Sequence, residues 1–173
     1  MKKFFLTSVI LFSMSIILFG QNKFISGNMR IESNMYEVRV SDMSPIIGIS
    51  NLSKNVKNIP QPVYKSEYDP LPIRERDVRV DTTLARTLII EILKNKLPAL
   101  KVNKDFIMVS YIFYPDGRIM NIDYILPLRT IITPKELDKI DQSLRKKIKV
   151  HLTGNEYKAF PAIHYNAQKR IYF

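Results

Sequence analysis

The chain has no cysteine, no tryptophan, only five glycines and only two histidines in 173 residues. Without cysteine no disulfide can staple the fold, so burial and backbone pairing must hold it. The same absence removes the thiol nucleophile, and no G-x-S-x-G segment supplies a serine in its place. The glycines form neither a G-x-G-x-x-G nor a Walker pattern, which leaves no phosphate cradle and disfavours a nucleotide cofactor. His151 and His164 lack the H-x-x-x-H or H-E-x-x-H spacing of a zinc site. Asp69, Glu75, Asp77 and Asp81 lie close enough in sequence to suggest paired catalytic or calcium-binding carboxylates. They are interleaved with Arg74, Arg76 and Arg79 and read as surface ion pairs. The expectation is a non-enzymatic protein with no cofactor and no bound metal.

Charge of one sign is what the chain does have: 27 Lys and Arg against 16 Asp and Glu, a formal net charge of +11. Lys2 and Lys3 open an apolar run from Phe4 to Phe19 that ends at the small residue Gly20, the pattern of a cleavable secretory leader over residues 1–20. A retained membrane anchor is the alternative, since the run is only slightly short of the roughly 18 to 20 apolar residues that span hydrocarbon. Export without disulfides fits a bacterial envelope, periplasmic or outer, better than eukaryotic secretion. There a basic surface favours lipid headgroups, lipopolysaccharide or an acidic protein, and nucleic acid is an improbable partner.

Beyond the leader about 150 residues remain, enough for one domain with its own core. Residues 21–80 divide into an N-terminal hairpin and a proline-rich extended segment. Met29 to Glu32, a polar Ser33-Asn34 pair and the alternating Tyr36 to Val40 suggest the hairpin. From Met43 to Ile73 five of the ten prolines, Pro45, Pro60, Pro62, Pro70 and Pro72, predict an extended connector without regular strand or helix. The charged run Arg74 to Val80 reads as a solvated edge strand.

Residues 81–173 carry stronger signals. Thr82 to Lys96 is predicted helical, capped by Asp81, Thr82 or Thr83 and stopped by Pro98, with Leu84, Leu88, Ile92 and Leu93 on one face. Phe106 to Leu126 is a hairpin: two apolar runs flank Pro115-Asp116-Gly117, where proline presets φ and glycine can close the loop left-handed. Ile107, Val109, Tyr111 and Phe113 share one face of its first strand, and Met120, Ile122, Tyr124 and Leu126 line one face of its second. The opposite face is also apolar and must be covered by the N-terminal segment or serve as an interface. Thr133-Pro134-Lys135-Glu136 then opens a helix with a capping box and proline at its first position. Leu137, Ile140, Leu144 and Ile148 form its stripe, while early acids and late bases complement the dipole. Ala162 to Phe173 is a terminal strand with Ile163, Tyr165, Ala167, Ile171 and Phe173 on one face.

The fold class is therefore α+β: an antiparallel sheet of hairpin plus terminal strand packed on two helices, in the order helix-strand-strand-helix-strand. With Val109 to Phe113, Asp116-Gly117-Arg118-Ile119, the helix from Pro134, Phe160-Pro161-Ala162 and the closing Ile171-Tyr172-Phe173, residues 82–173 resemble the C-terminal domain of the TonB family. That family's domain lies in the periplasm and takes a short receptor peptide as an extra strand beside its terminal strand, by β-augmentation. The long proline-rich spacer of an energy transducer is missing, so the resemblance implies a domain of this shape reused in a small exported protein. It points to Ile163, Tyr165, Ala167, Ile171 and Phe173 as partner-binding candidates. Arg145, Lys146, Lys147 and Lys149 are candidates for an anionic surface of lipid or lipopolysaccharide.

Overall fold

Tyr114-Pro115-Asp116-Gly117 turns the chain as the sequence predicts. The Gly117 amide donates to the Tyr114 carbonyl at 2.9 Å, the Tyr114 amide donates to the Arg118 carbonyl at 2.8 Å, and Gly117 takes φ 83°. The turn joins β5 (Phe106–Phe113) to β6 (Ile119–Pro127). The computed structural model describes residues 23–52, 77–153, 162–165 and 170–173; the leader and most of the proline-rich connector lie outside them. Among the described residues no helix is long and apolar enough to cross a membrane.

The N-terminal hairpin is present as β1 (Gly27–Ile31) and β2 (Asn34–Val40), turning on Glu32 and Ser33. Contrary to the expectation for a proline-rich connector, its first part forms a regular strand, β3 (Ile46–Asn51). The reason is position. Pro45 lies just before the strand, where no ladder donor is needed, and its carbonyl still accepts from the Leu128 amide at 2.8 Å. Strand β3 pairs with β2 on one side and β6 on the other, placing Ile47 and Ile49 opposite Leu126 and Tyr124. The sheet runs β1-β2-β3-β6-β5-β8, all antiparallel, where β8 is Ile163–Tyr165; β9 (Ile171–Tyr172) also pairs with β5.

Helices α1 (Thr82–Leu93) and α3 (Pro134–Lys147) pack against one another and fill one face of this sheet. Asp81 is the N-cap of α1, its carboxylate accepting from the Leu84 amide at 2.8 Å. Ala85, Leu88, Ile89 and Leu93 form the buried face of α1, with Leu84 and Ile92 at its margins. Pro98 does not end the helical path as predicted. After one 3₁₀ turn over Lys94–Lys96 it sits in the first turn of a short α2 (Leu97–Val102), where the missing N–H would have no helical acceptor. Helix α3 starts with the full capping box of Thr133 and Glu136 and buries Leu137, Ile140 and Leu144. Full burial of each such side chain contributes roughly 1.5–3 kcal/mol. The run before α1 is in part strand: β4 (Val78–Val80) pairs with β7 (Val150–Leu152) in a separate two-stranded ribbon.

Two details of the hairpin differ from simple alternation. A register shift between Ile112 and Phe113 pairs Ile112 with Asn121 but Phe113 with Ile119, leaving Met120 as the extra residue. Ile119 consequently joins the cluster of Ile122, Tyr124 and Leu126, and Met120, itself buried, lies outside that cluster. Residues 23–52 of the N-terminal segment join the hairpin edge to edge. Among the described residues they widen the sheet beside β6, and the far face mixes Met108, Ile112 and Ile125 with Glu37, Arg39, Ser50 and Asp123.

Candidate functional site

The terminal strand lies at one end of the sheet and meets β5 in two pieces. Tyr165, His164 and Ile163 face Tyr111, Ile112 and Phe113; Tyr172 and Ile171 face Phe106 and Ile107. Five residues separate Tyr165 from Ile171 while three separate Ile107 from Tyr111, so the terminal strand carries two residues more than its partner. An even offset keeps the same parity of side chains facing the helices. Ile163 is 1% exposed, and Tyr165, Ile171 and Phe173 are half-buried and packed on the core. These four candidates thus anchor the strand from within; Ala167 lies outside the described residues. What the strand presents away from β5 is main chain, and no other described strand pairs with it. On the other face Tyr172 is 56% exposed, its ring 6.1 Å from Phe106, while the Arg170 guanidinium lies 4.9 Å over the Phe106 ring.

Behind this strand, between α1 and the sheet, is a cavity of about 340 Å³. Its described walls are Thr82, Thr83, Ala85 and Arg86 from α1, Val109 and Tyr111 from β5, and Arg170 and Ile171 from the terminal strand. Val109 sits where the described pairing with the terminal strand stops after Ile107 and before it resumes at Tyr111. Tyr111 is 2% exposed, stacks on Phe113 at 5.5 Å, and its hydroxyl makes no hydrogen bond among the described residues. Burial pushes its phenol well above the ordinary tyrosine value, so the hydroxyl keeps its proton.

The basic cluster of α3 divides. Lys146, Lys147 and Lys149 are exposed, but Arg145 turns inward. Its Nε donates to Asp141 at 2.7 Å, and its other nitrogens donate to the Met120 carbonyl at 3.2 Å and to Asn121 Oδ1 at 3.0 Å. Arg145 is therefore removed from the anionic-surface set, because a partly buried guanidinium is held by a buried carboxylate.

That contact belongs to a network not foreseen from the sequence. Asp138 and Asp141, each 1% exposed, lie one turn apart on α3. Asp138 accepts from the Tyr36 hydroxyl at 2.8 Å, Asn34 Nδ2 at 2.8 Å and Gln142 Nε2 at 2.7 Å. Asp141 accepts from the Tyr124 hydroxyl at 3.0 Å and Asn51 Nδ2 at 3.0 Å in addition to Arg145. Burial first, and then the carboxylates, raises both tyrosines well above their ordinary value. The arrangement is fully hydrogen-bonded and opens on no described cavity, so it joins α3 to β2, β3 and β6 rather than offering a reactive group. A usable signal existed: Asp138 and Asp141 flank Leu137, Ile140 and Leu144 on the helix, and Tyr36 and Tyr124 lie on core faces where a buried hydroxyl needs an acceptor.

Of the remaining candidates, Asp81 is committed to capping α1 and His151 is exposed on β7. Asp69 and Glu75 lie outside the described residues, and no group of three metal-ligating side chains occurs among the described ones.

The fold and site define a small α+β protein with an inward-anchored edge strand beside a cavity lined by α1 and β5. In fold it is similar to the crystal structure of a DUF5043 family protein from Bacteroides uniformis, with a TM-score of 0.64 at 14% identity over 88% of this chain and 86% of that one. No family model matches the chain, and no curated protein matches it.

Proposed function

We propose that this chain is a non-enzymatic protein of the bacterial envelope that receives an extended peptide segment of a protein partner as an added strand along Ile163–Tyr165 and Ile171–Tyr172. One observation carries the reading. The terminal strand pairs with β5 on one side, has no described strand on the other, and directs Ile163, Tyr165, Ile171 and Phe173 into the core. A strand held this way keeps its outer amides and carbonyls in register for a second chain. The leader-like residues 1–20 and the resemblance of residues 82–173 to the TonB C-terminal domain support the compartment and the mode. The test compares recovery of partners from an envelope fraction by wild type and by Ile171→Pro. Hydrogen exchange of the wild type with the recovered partner accompanies it. Loss of recovery, with slowed exchange at Ile163–Tyr165 on binding, is expected; equal recovery or unchanged exchange rejects strand addition.

A second reading rests on Lys146, Lys147 and Lys149, exposed at the end of α3 with no carboxylate partner among the described residues. They suit attachment to anionic lipid or lipopolysaccharide. Binding to anionic vesicles should weaken as salt rises and fall in the triple Lys→Gln variant. Salt-independent binding removes this reading.

A further inference from the structure

We infer that one end of the sheet, where β2 and β6 finish and β3 and β5 begin, attaches to an anionic bilayer by setting apolar loop tips into it. Three loops meet at this end and are tied together by hydrogen bonds. The Leu128 amide donates to the Pro45 carbonyl at 2.8 Å, which joins the loop after β6 to the β2–β3 turn. Asn103 Nδ2 donates to the Arg129 carbonyl at 3.2 Å, which joins the same loop to the end of α2. Buried Asp105 holds that loop as well, its Oδ2 accepting from the Ile131 amide at 3.1 Å and the Thr130 hydroxyl at 3.3 Å. Each loop carries a large apolar side chain in solvent: Met43 is 98% exposed, Val102 85% and Leu128 46%. Tyr172 stands at the same end through its pairing with Phe106, and it too is exposed. Apolar surface gathered in one place marks contact with a protein or a membrane.

Charge decides between the two. Lys101, Lys104 and Arg129 are exposed among the tips, and none has an ion-pair partner among the described residues. Asp42 is the one exposed acid on the three loops. Lys104 holds a left-handed φ of 54° that glycine would take with less strain, so a cation stands there at a conformational cost. Protein–protein interfaces are depleted of lysine and gather their apolar atoms in a packed core. Separate protruding tips ringed by lysine and arginine suit a headgroup layer instead, where apolar atoms sink about 5–10 Å and cations meet anionic lipid. The chain also enters the domain here. Gly27 pairs with Val38, so exposed Lys23 and Ile25 precede β1 at this end, shortly after the apolar run Phe4 to Phe19. Lys146, Lys147 and Lys149 lie at the other end, where Val150 meets the Gly117 turn. The inference is therefore independent of strand addition and of those lysines.

The chain lacks cysteine, so Met43→Cys, Val102→Cys and Lys146→Cys each admit one environment-sensitive fluorophore on the full chain. Vesicles of phosphatidylglycerol and phosphatidylcholine are expected to shift the emission of labels at the Met43 and Val102 positions to the blue. The same labels should become open to a quencher carried on the acyl chains, while the label at the Lys146 position stays aqueous. Pure phosphatidylcholine should give a much smaller shift. Lys101→Gln combined with Lys104→Gln and Arg129→Gln should raise the anionic vesicle concentration needed for half the shift at Met43 by at least about tenfold. Thermal unfolding checks that each variant folds. Labels at Met43 and Val102 that stay aqueous overturn the inference, as does a label at Lys146 that enters the bilayer with them. An equal shift on pure phosphatidylcholine, or an unchanged vesicle requirement in the triple variant, overturns it too. So does a shift at Met43 that needs an added envelope protein fraction rather than lipid, since that assigns the tips to a protein partner.

Discussion

Gly117 and Val150 meet backbone to backbone: the Val150 amide donates to the Gly117 carbonyl at 3.4 Å, and a Cβ on Gly117 would overlap the Val150 carbonyl oxygen. The hairpin turn is thus also the seat of β7. Gly117→Ala should cost more than about 2 kcal/mol, because it combines a positive-φ strain of roughly 1–3 kcal/mol with a collision against main chain that cannot rotate away. Gly27 is the control, with φ 105° but nothing within 4 Å of an added Cβ. Gly27→Ala should cost less, and urea unfolding of the two variants separates strain from overlap.

Removal of Asp141 should be among the most damaging single changes. Asp141→Ala leaves Arg145 without its carboxylate and the Tyr124 hydroxyl and Asn51 without an acceptor, a loss of about 3–5 kcal/mol by denaturant unfolding. Tyr36→Phe should cost about 1.5–3 kcal/mol through the bond to Asp138. A double-mutant cycle of Tyr36→Phe with Asp138→Asn should be clearly non-additive, since the two groups share one bond.

Acid should weaken the start of α3. Burial works to raise the Glu136 carboxyl, but bonds from Lys96, the Thr133 amide and the Thr133 hydroxyl outweigh it and hold the group below its ordinary value. Its folded pKa is then lower than its unfolded one, so the stabilisation is complete above the ordinary carboxyl value of 4.5 and is lost as pH falls through the lower folded value. The stability difference between wild type and Glu136→Gln should shrink over that acidic interval and stay constant near neutrality.

Lys104 closes α2 in a left-handed conformation, φ 54°, with its amide on the Lys101 carbonyl and the Asp105 amide on the Leu100 carbonyl. This is the cap geometry for which glycine is the preferred residue. Lys104→Gly should stabilise the protein by up to about 1 kcal/mol, measured as a rise in the urea midpoint.

Local chemistry made several elements legible in advance. The Pro115-Asp116-Gly117 turn, the Thr133 capping box, the Asp81 cap and the apolar face of α1 all act within a few residues, and each is where its signal predicts. Strand β3 was hidden by proline density, although only the place of Pro45 relative to the ladder matters. The bulge at Met120 depends on the partner strand and leaves no period-two signature. Arg145 and the two aspartates looked like dipole complements because their partners lie on β2, β3 and β6, which helical spacing cannot reveal. The cavity was likewise invisible: its described walls come from segments far apart in sequence.

The aspartate network also sets an order of events during synthesis. Tyr36 and Asn51 find their acceptors 102 and 90 residues further along, on α3. A nascent chain therefore exposes the β1-β2-β3 meander with its inward tyrosine and asparagine unmet until the helix arrives. Such distant pairings slow folding and lengthen the interval in which strand edges are open to other chains. The arrival of α3, which brings Asp138 and Asp141 to their partners, is the step that closes this interval.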